Sequence, residues 1–216
     1  MPGPARPAFD LTLYLVAGSD AVAGRDLVQV VEAALRGGVT LVQLREKQGP
    51  REAMIASARA LKAMLDRHRV PLIVNDDLEV TLAVDAAGLH LGQEDMDPAE
   101  ARAALGPDRI IGLSAGNAAE AARVDPAVVD YAGVGPAYVT GSKADAGDAI
   151  GLPGLSELRA RLALPLVAIG GITAANAAEV MTTGVNGVAV VSAICAASDP
   201  EAAARALRRA VESGRQ

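Results

Sequence analysis

The sequence predicts an α/β protein folded as a single (β/α)8 TIM barrel. Three observations predict it. Short apolar runs rich in Val, Ile and Leu recur at regular intervals, Ala-rich stretches of helical period separate them, and no second composition interrupts the alternation. The runs are apolar at nearly every position, as strands buried on both faces require. They cover residues 11–17, 41–44, 72–74, 88–91, 110–113, 128–134, 166–169 and 188–191. The helical stretches cover residues 26–36, 51–67, 78–84, 98–105, 118–124, 155–162, 174–183 and 200–211. Strict alternation over 216 residues fits one barrel domain spanning 1–216, with residues 1–10 as a flexible N-terminal tail. An open doubly wound sheet is the other parallel solution, but no Gly-x-Gly-x-x-Gly or P-loop pattern follows the first strand.

Helix ends carry their own signals. Asp97 followed by Pro98 and Glu100 reads as an N-cap, a first-turn proline and a capping-box partner, and Asp199–Pro200 repeats the first two. Thr173 is placed to cap the seventh helix. Gly37 and Gly38 close the first.

Composition narrows the function classes. The net charge is −6, aromatic residues make up 2% and Trp is absent, a poor match to nucleic-acid binding. The lone Cys195 excludes an internal disulfide and a cysteine metal cluster, and reads as a small buried apolar residue. No apolar run approaches the roughly 18 residues of a membrane span. Residues 1–10 lack the apolar core of a signal peptide. The expectation is a soluble, cytoplasmic protein without membrane or nucleic-acid partners, compatible with a homo-oligomer.

In a barrel of this kind the site lies at the C-terminal ends of the strands. After the second strand, period-two alternation puts Gln43, Arg45 and Lys47 on one face and Leu44 and Glu46 on the other. Two cations and an amide at the barrel mouth suit a polyanion such as a diphosphate. Of Asn75, Asp76 and Asp77 after the third strand, Asp77 is assigned to capping the next helix, which leaves Asp76 at the rim. After the fourth strand Asp97 caps, so Asp95 is spare. Two carboxylates on neighbouring strand ends beside an anion site suit Mg²⁺, which takes one or two carboxylates plus phosphate oxygens and water.

Ser114 ends the fifth strand, where its hydroxyl could bond a ligand, or a helix cap could start near Asn117. The sixth strand runs into a glycine-spaced loop with Thr140, Gly141, Ser142 and Lys143, which reads as a phosphate-friendly lid. Gly170–Gly171 after the seventh strand, and Val191–Ser192 before a short helix, match the common barrel phosphate site. His68, between two arginines, reads as a solvated helix-end residue, and His90, inside the fourth strand, as packed in the barrel. No Ser-His-Asp or Cys-His arrangement is evident.

Taken in order, these motifs resemble the thiamine phosphate synthase family over residues 13–194. The resemblance implies a reaction joining hydroxymethylpyrimidine diphosphate to a thiazole phosphate, with release of pyrophosphate. It implies that Gln43, Leu44, Arg45, Glu46, Lys47, Asn75, Ser114 and Lys143 hold the pyrimidine diphosphate, with Arg45, Lys47, Ser114 and Lys143 acting in catalysis. It implies that Asp76 and Asp95 bind Mg²⁺, and that Thr140, Gly141, Ser142, Gly171, Val191 and Ser192 hold the thiazole phosphate. Two departures stand out. The family's Thr-x-Thr-Lys is Thr140-Gly141-Ser142-Lys143 here, which keeps the hydroxyl, and the family's frequent His two residues after the serine is Gly116.

Overall fold

A computed structural model describes residues 8–141 and 147–215. Eight parallel strands close into a barrel in sequence order: β1 (Leu13–Ala17), β2 (Leu41–Leu44), β3 (Leu72–Asn75), β4 (Gly88–Leu91), β5 (Ile110–Ser114), β6 (Tyr131–Val134), β7 (Leu166–Ile169) and β8 (Gly187–Val190). Closure is made by β8 against β1, with Tyr14 opposite Ala189. Around them lie α1 (Leu27–Arg36), α2 (Arg51–His68), α3 (Leu78–Ala83), α4 (Pro98–Leu105), α5 (Ala118–Ala121), α6 (Gly151–Arg161), α7 (Ala177–Met181), α8 (Ser192–Cys195) and α9 (Pro200–Gly214).

Although the strands read as continuous apolar runs, alternate residues serve two cores. Leu13, Leu15, Val42, Leu44, Val74, Leu89 and Leu91 point outward into the layer under the helices. Tyr14, Val16, Leu41, Ile73, Ile110, Tyr131 and Val167 fill the barrel. Gly112 is required on that inner face, because a Cβ there would lie 2.2 Å from Tyr131 Cζ and 2.5 Å from His90 Nδ1. Of the expected tail, residues 1–7 lie outside the described part. Phe9 instead packs on Tyr131, with ring centroids 5.7 Å apart, and Asp10 accepts a bond from the Thr12 amide.

Several boundaries differ from the sequence reading, and three of them have a local reason. Residues 128–130 are not strand, because the Val128 and Val129 amides turn back onto the Asp125 carbonyl. Residues 174–176 are not helix: Asn176 Oδ1 accepts the Thr173 amide and the Asn176 amide returns to the Thr173 carbonyl, so Asn176 rather than Thr173 precedes α7. Helix α6 starts at Gly151, not 155, since Pro153 in a first turn forfeits no helical hydrogen bond. The caps Asp97, Asp199 and Asn117 each accept a first-turn amide, and Gly37 ends α1.

One buried ion pair ties the loop before β6 to α4. Arg102 donates to Asp130 at 2.6 Å and to the carbonyls of Val128, Gly106 and Arg109. Asp130, with its side chain 2% exposed, also accepts the Ile111 amide. Removing one partner strands a buried charge and a buried N–H. Asp130→Ala is expected to lower unfolding free energy by about 3–5 kcal/mol in urea titration. A loss below about 1 kcal/mol, the range of a surface pair, would contradict that account.

Candidate functional site

The strands' C-terminal ends surround a cavity of about 890 Å³. Gln43, Arg45 and Lys47 line it, while Leu44 and Glu46 do not. Leu44 is buried beneath the helices, and Glu46 accepts bonds from the Ser19 amide and hydroxyl, latching the loop after β1. The alternation of a strand therefore sorts this pentapeptide: three side chains enter the cavity and two do not. The Arg45 amide extends the ladder by donating to the Ala17 carbonyl at 2.8 Å, which carries strand geometry past Leu44.

At the end of β3 the two aspartates divide as their positions suggest. Asp77 caps α3 through the Val80 amide and pairs with Arg51. Asp76 lines the cavity with φ of 63°, a left-handed conformation that non-glycine residues adopt sparingly and often at functional sites. Asp95 also lines the cavity, but it is not spare: its carboxylate accepts the Gly92 amide at 2.6 Å and so holds its own loop.

Asp76 and Asp95 are neighbours whose carboxyl groups interact directly. Asp76 is pushed up from 3.8 to about 6, first by burial, then by the hydrogen bond and charge of Asp95, against the opposing pull of Lys47 and Asn75. Among the described residues no group of three or more His, Cys, Asp or Glu forms a metal cage. Two mutually repelling carboxylates with no third protein ligand are suited to a hard divalent cation that completes its shell from phosphate oxygens and water.

Opposite this charged side lie Gly170, Gly171, Val191, Ser192 and Thr140, all at the cavity wall. Gly171 has φ of 66°, and a Cβ on it would sit 2.8 Å from the Val139 carbonyl, so the loops after β6 and β7 pack backbone to backbone. Arg25 steadies the neighbouring α8 by donating to the carbonyls of Cys195 and Ala197. Gly141 is exposed and does not line the cavity, whereas Ser142 and Lys143 lie outside the described residues. At the departure noted above, the Gly116 amide donates to Glu120 at 2.7 Å, and a Cβ there would come within 3.1 Å of the Gly135 carbonyl.

The cavity floor holds residues that the sequence reading did not select for the site. Gln43 Nε2 donates to Tyr14 Oη, Tyr14 and Tyr131 share a 2.8 Å bond, Tyr131 reaches His90 Nδ1 at 2.8 Å, and His90 Nε2 lies 3.1 Å from Ser114 Oγ. His90 is packed in the barrel as expected, yet it also touches a site candidate. Ser114 and Asn75, both expected, line the cavity too, and the Ser114 carbonyl accepts the Gln93 side-chain amide. The signal for the floor was one of register: Tyr14, Gln43 and His90 all fall on inward positions of their strands.

Comparison with known proteins follows the same residues. A family model described as thiamine monophosphate synthase matches residues 13–194. The chain is 56% identical over 207 residues to the thiamine-phosphate synthase of Xanthobacter autotrophicus, covering 96% of this chain and 98% of that one. It is 45% identical over 209 residues to the thiamine-phosphate synthase of Moorella thermoacetica, covering 97% and 99%. A solved structure, the thiamine phosphate pyrophosphorylase from Pyrococcus furiosus, superposes with a TM-score of 0.86 at 37% identity, covering 95% of this chain and 98% of that one.

The carboxylate pair gives the site a signature measurable without any ligand. Since folded Asp76 binds its proton more tightly than the unfolded chain, its ionisation costs the metal-free fold stability as pH rises from 3.8 to about 6, and the cost stays constant above that. Asp76→Asn, tolerated at positive φ, is therefore expected to stabilise the metal-free protein at pH 8 by about 1 kcal/mol after solvent screening. The gain should vanish as pH falls toward 4. Thermal unfolding across pH checks this, and a variant less stable than the parent at pH 8 would refute it.

Proposed function

Because the chain belongs to the thiamine monophosphate synthase family, whose members are transferases, we propose that it joins 4-amino-2-methyl-5-hydroxymethylpyrimidine diphosphate to hydroxyethylthiazole phosphate, giving thiamine phosphate and pyrophosphate. One observation carries the reading: Arg45 and Lys47 converge with Asp76 and Asp95 on one side of a single cavity, facing the glycine and serine loops on the other. The charged side suits a diphosphate, and the Gly171 and Ser192 side suits a monophosphate.

In this reading the pyrimidine methylene–oxygen bond breaks first, and its electron pair leaves with pyrophosphate. The thiazole nitrogen then donates its lone pair to the methylene cation, forming the new C–N bond. No proton moves in that step, consistent with a cavity whose histidine is tied into the floor. Arg45 and Lys47 stabilise the negative charge that grows on the leaving group, a contribution realised in the transition state. Asn75 and Ser114 orient the diphosphate, and Lys143 adds a cation. Thr140, Ser142, Gly171, Val191 and Ser192 hold the thiazole phosphate, and the loop from Thr140 excludes water that would capture the cation. Asp76 and Asp95 would hold Mg²⁺, which when bound supplies Lewis-acid stabilisation of the diphosphate oxygens.

Incubating the purified protein with both substrates is expected to yield thiamine phosphate and pyrophosphate in equal amounts by mass spectrometry, and only with Mg²⁺ present. Asp76→Ala is expected to reduce turnover by about 100-fold or more while the circular dichroism spectrum stays native. Binding of both ligands without turnover would reassign the protein as a carrier or sensor of thiamine precursors. Isomerisation of the thiazole phosphate without use of the diphosphate would reassign it as a thiazole tautomerase of the same family.

A further inference from the structure

The polar chain under the cavity has a direction. An amide nitrogen only donates, so Gln43 Nε2 makes Tyr14 Oη an acceptor across their 2.8 Å bond. Burial pushes both phenols well above the usual tyrosine range, so each keeps one proton to give. The Tyr14 proton goes to Tyr131 Oη at 2.8 Å, and the Tyr131 proton then goes to His90 Nδ1 at 2.8 Å. A ring nitrogen that accepts at Nδ1 in a neutral imidazole carries its hydrogen on Nε2. That hydrogen points to Ser114 Oγ, 3.1 Å away, and leaves the serine's own proton for the cavity that Ser114 lines.

We propose that Gln43, Tyr14, Tyr131 and His90 form a one-way hydrogen-bond relay that fixes His90 as the neutral Nε2–H tautomer and sets Ser114 as a hydrogen-bond donor toward the substrate. Tyr14, Tyr131 and His90 are thus positioning residues acting through Ser114. The substrate atom at Ser114 must then be an acceptor, such as a diphosphate oxygen, and a ligand presenting an N–H there is disfavoured. This functional half rests on the reading proposed above, whereas the tautomer does not depend on it. The inner glycine Gly112 belongs to the same device, since any side chain at that position would displace both Tyr131 and His90.

The chain has two histidines, so ¹⁵N-histidine labelling gives an imidazole spectrum of two residues, and His68→Gln assigns it. In the metal-free, ligand-free protein at pH 8, His90 is expected as a single Nε2–H species. An Nδ1–H species, or a mixture, overturns the relay. Tyr14→Phe breaks the direction while leaving Ser114 and His90 in place. It is expected to turn His90 into a mixture of tautomers and to raise KM for the pyrimidine diphosphate about fivefold with a smaller change in kcat, the scale of one misoriented hydrogen bond. A pure Nε2–H signal in Tyr14→Phe would show that the tautomer is set locally and would overturn the relay. The wild-type spectrum decides the polarity even where the variant does not fold. A relay confirmed in a protein without synthase activity would sink the proposed reaction alone.

Discussion

Pairing of β8 with β1 is the constraint on which the rest depends. Once the sheet closes, every strand has one side chain in two directed inward, and all eight C-terminal ends open on one mouth. Residues far apart in sequence, such as Gln43, Asp95 and Ser192, share a wall for that reason alone. Closure also rations the interior. Two tyrosines and a histidine fit there only because β5 contributes Gly112, which has no side chain to compete for the space.

That choice of interior has an energetic consequence. A barrel filled only with aliphatic side chains would need no polar partners, whereas a buried phenol or imidazole without them costs a few kcal/mol. The floor satisfies its polar atoms by bonding them to one another, so each member constrains the next, and the last contact is with Ser114 at the cavity. Above the floor the balance differs. Asp76 sits at positive φ beside a second carboxylate, two unfavourable features at one residue that local packing alone gives no reason to keep. Polar groups in the floor are fully partnered, whereas the two carboxylates of the mouth, Asp76 and Asp95, repel one another. This is the distribution expected where the floor provides structure and the mouth awaits a charged ligand.

The fold was legible because its strands are apolar on both faces and its caps are explicit. The boundaries that slipped, at 128–130 and 174–176, are places where side chains or amides close a local turn inside an apolar or Ala-rich stretch, which periodicity does not register. The charged side of the site was legible for a physical reason as well. Gln43, Arg45 and Lys47 alternate with Leu44 and Glu46, and the pleat turns that alternation into two faces. The floor was not legible. His90 stands between Leu89 and Leu91 and reads as packing until its partner Tyr131, 41 residues away, is brought across the barrel. Asp95 was read as spare because the Gly92 amide it accepts has no sequence signal of its own.

A net charge of −6 poses an apparent contradiction with the proposed diphosphate substrate, which distance resolves. At physiological ionic strength charges more than about 8–10 Å apart are largely screened, so the acidic exterior contributes little at the mouth. What a bound anion feels is the nearest shell, and in that shell Arg45 and Lys47 are opposed by Asp76 and Asp95. By formal charge these four side chains cancel. A diphosphate would then gain little from the bare protein, and the sign of the mouth would turn on whether a divalent cation sits between the carboxylates. The same pair that destabilises the empty mouth would make diphosphate binding conditional on that cation, so in the proposed reaction metal and substrate would enter as one electrostatic unit rather than as independent ligands.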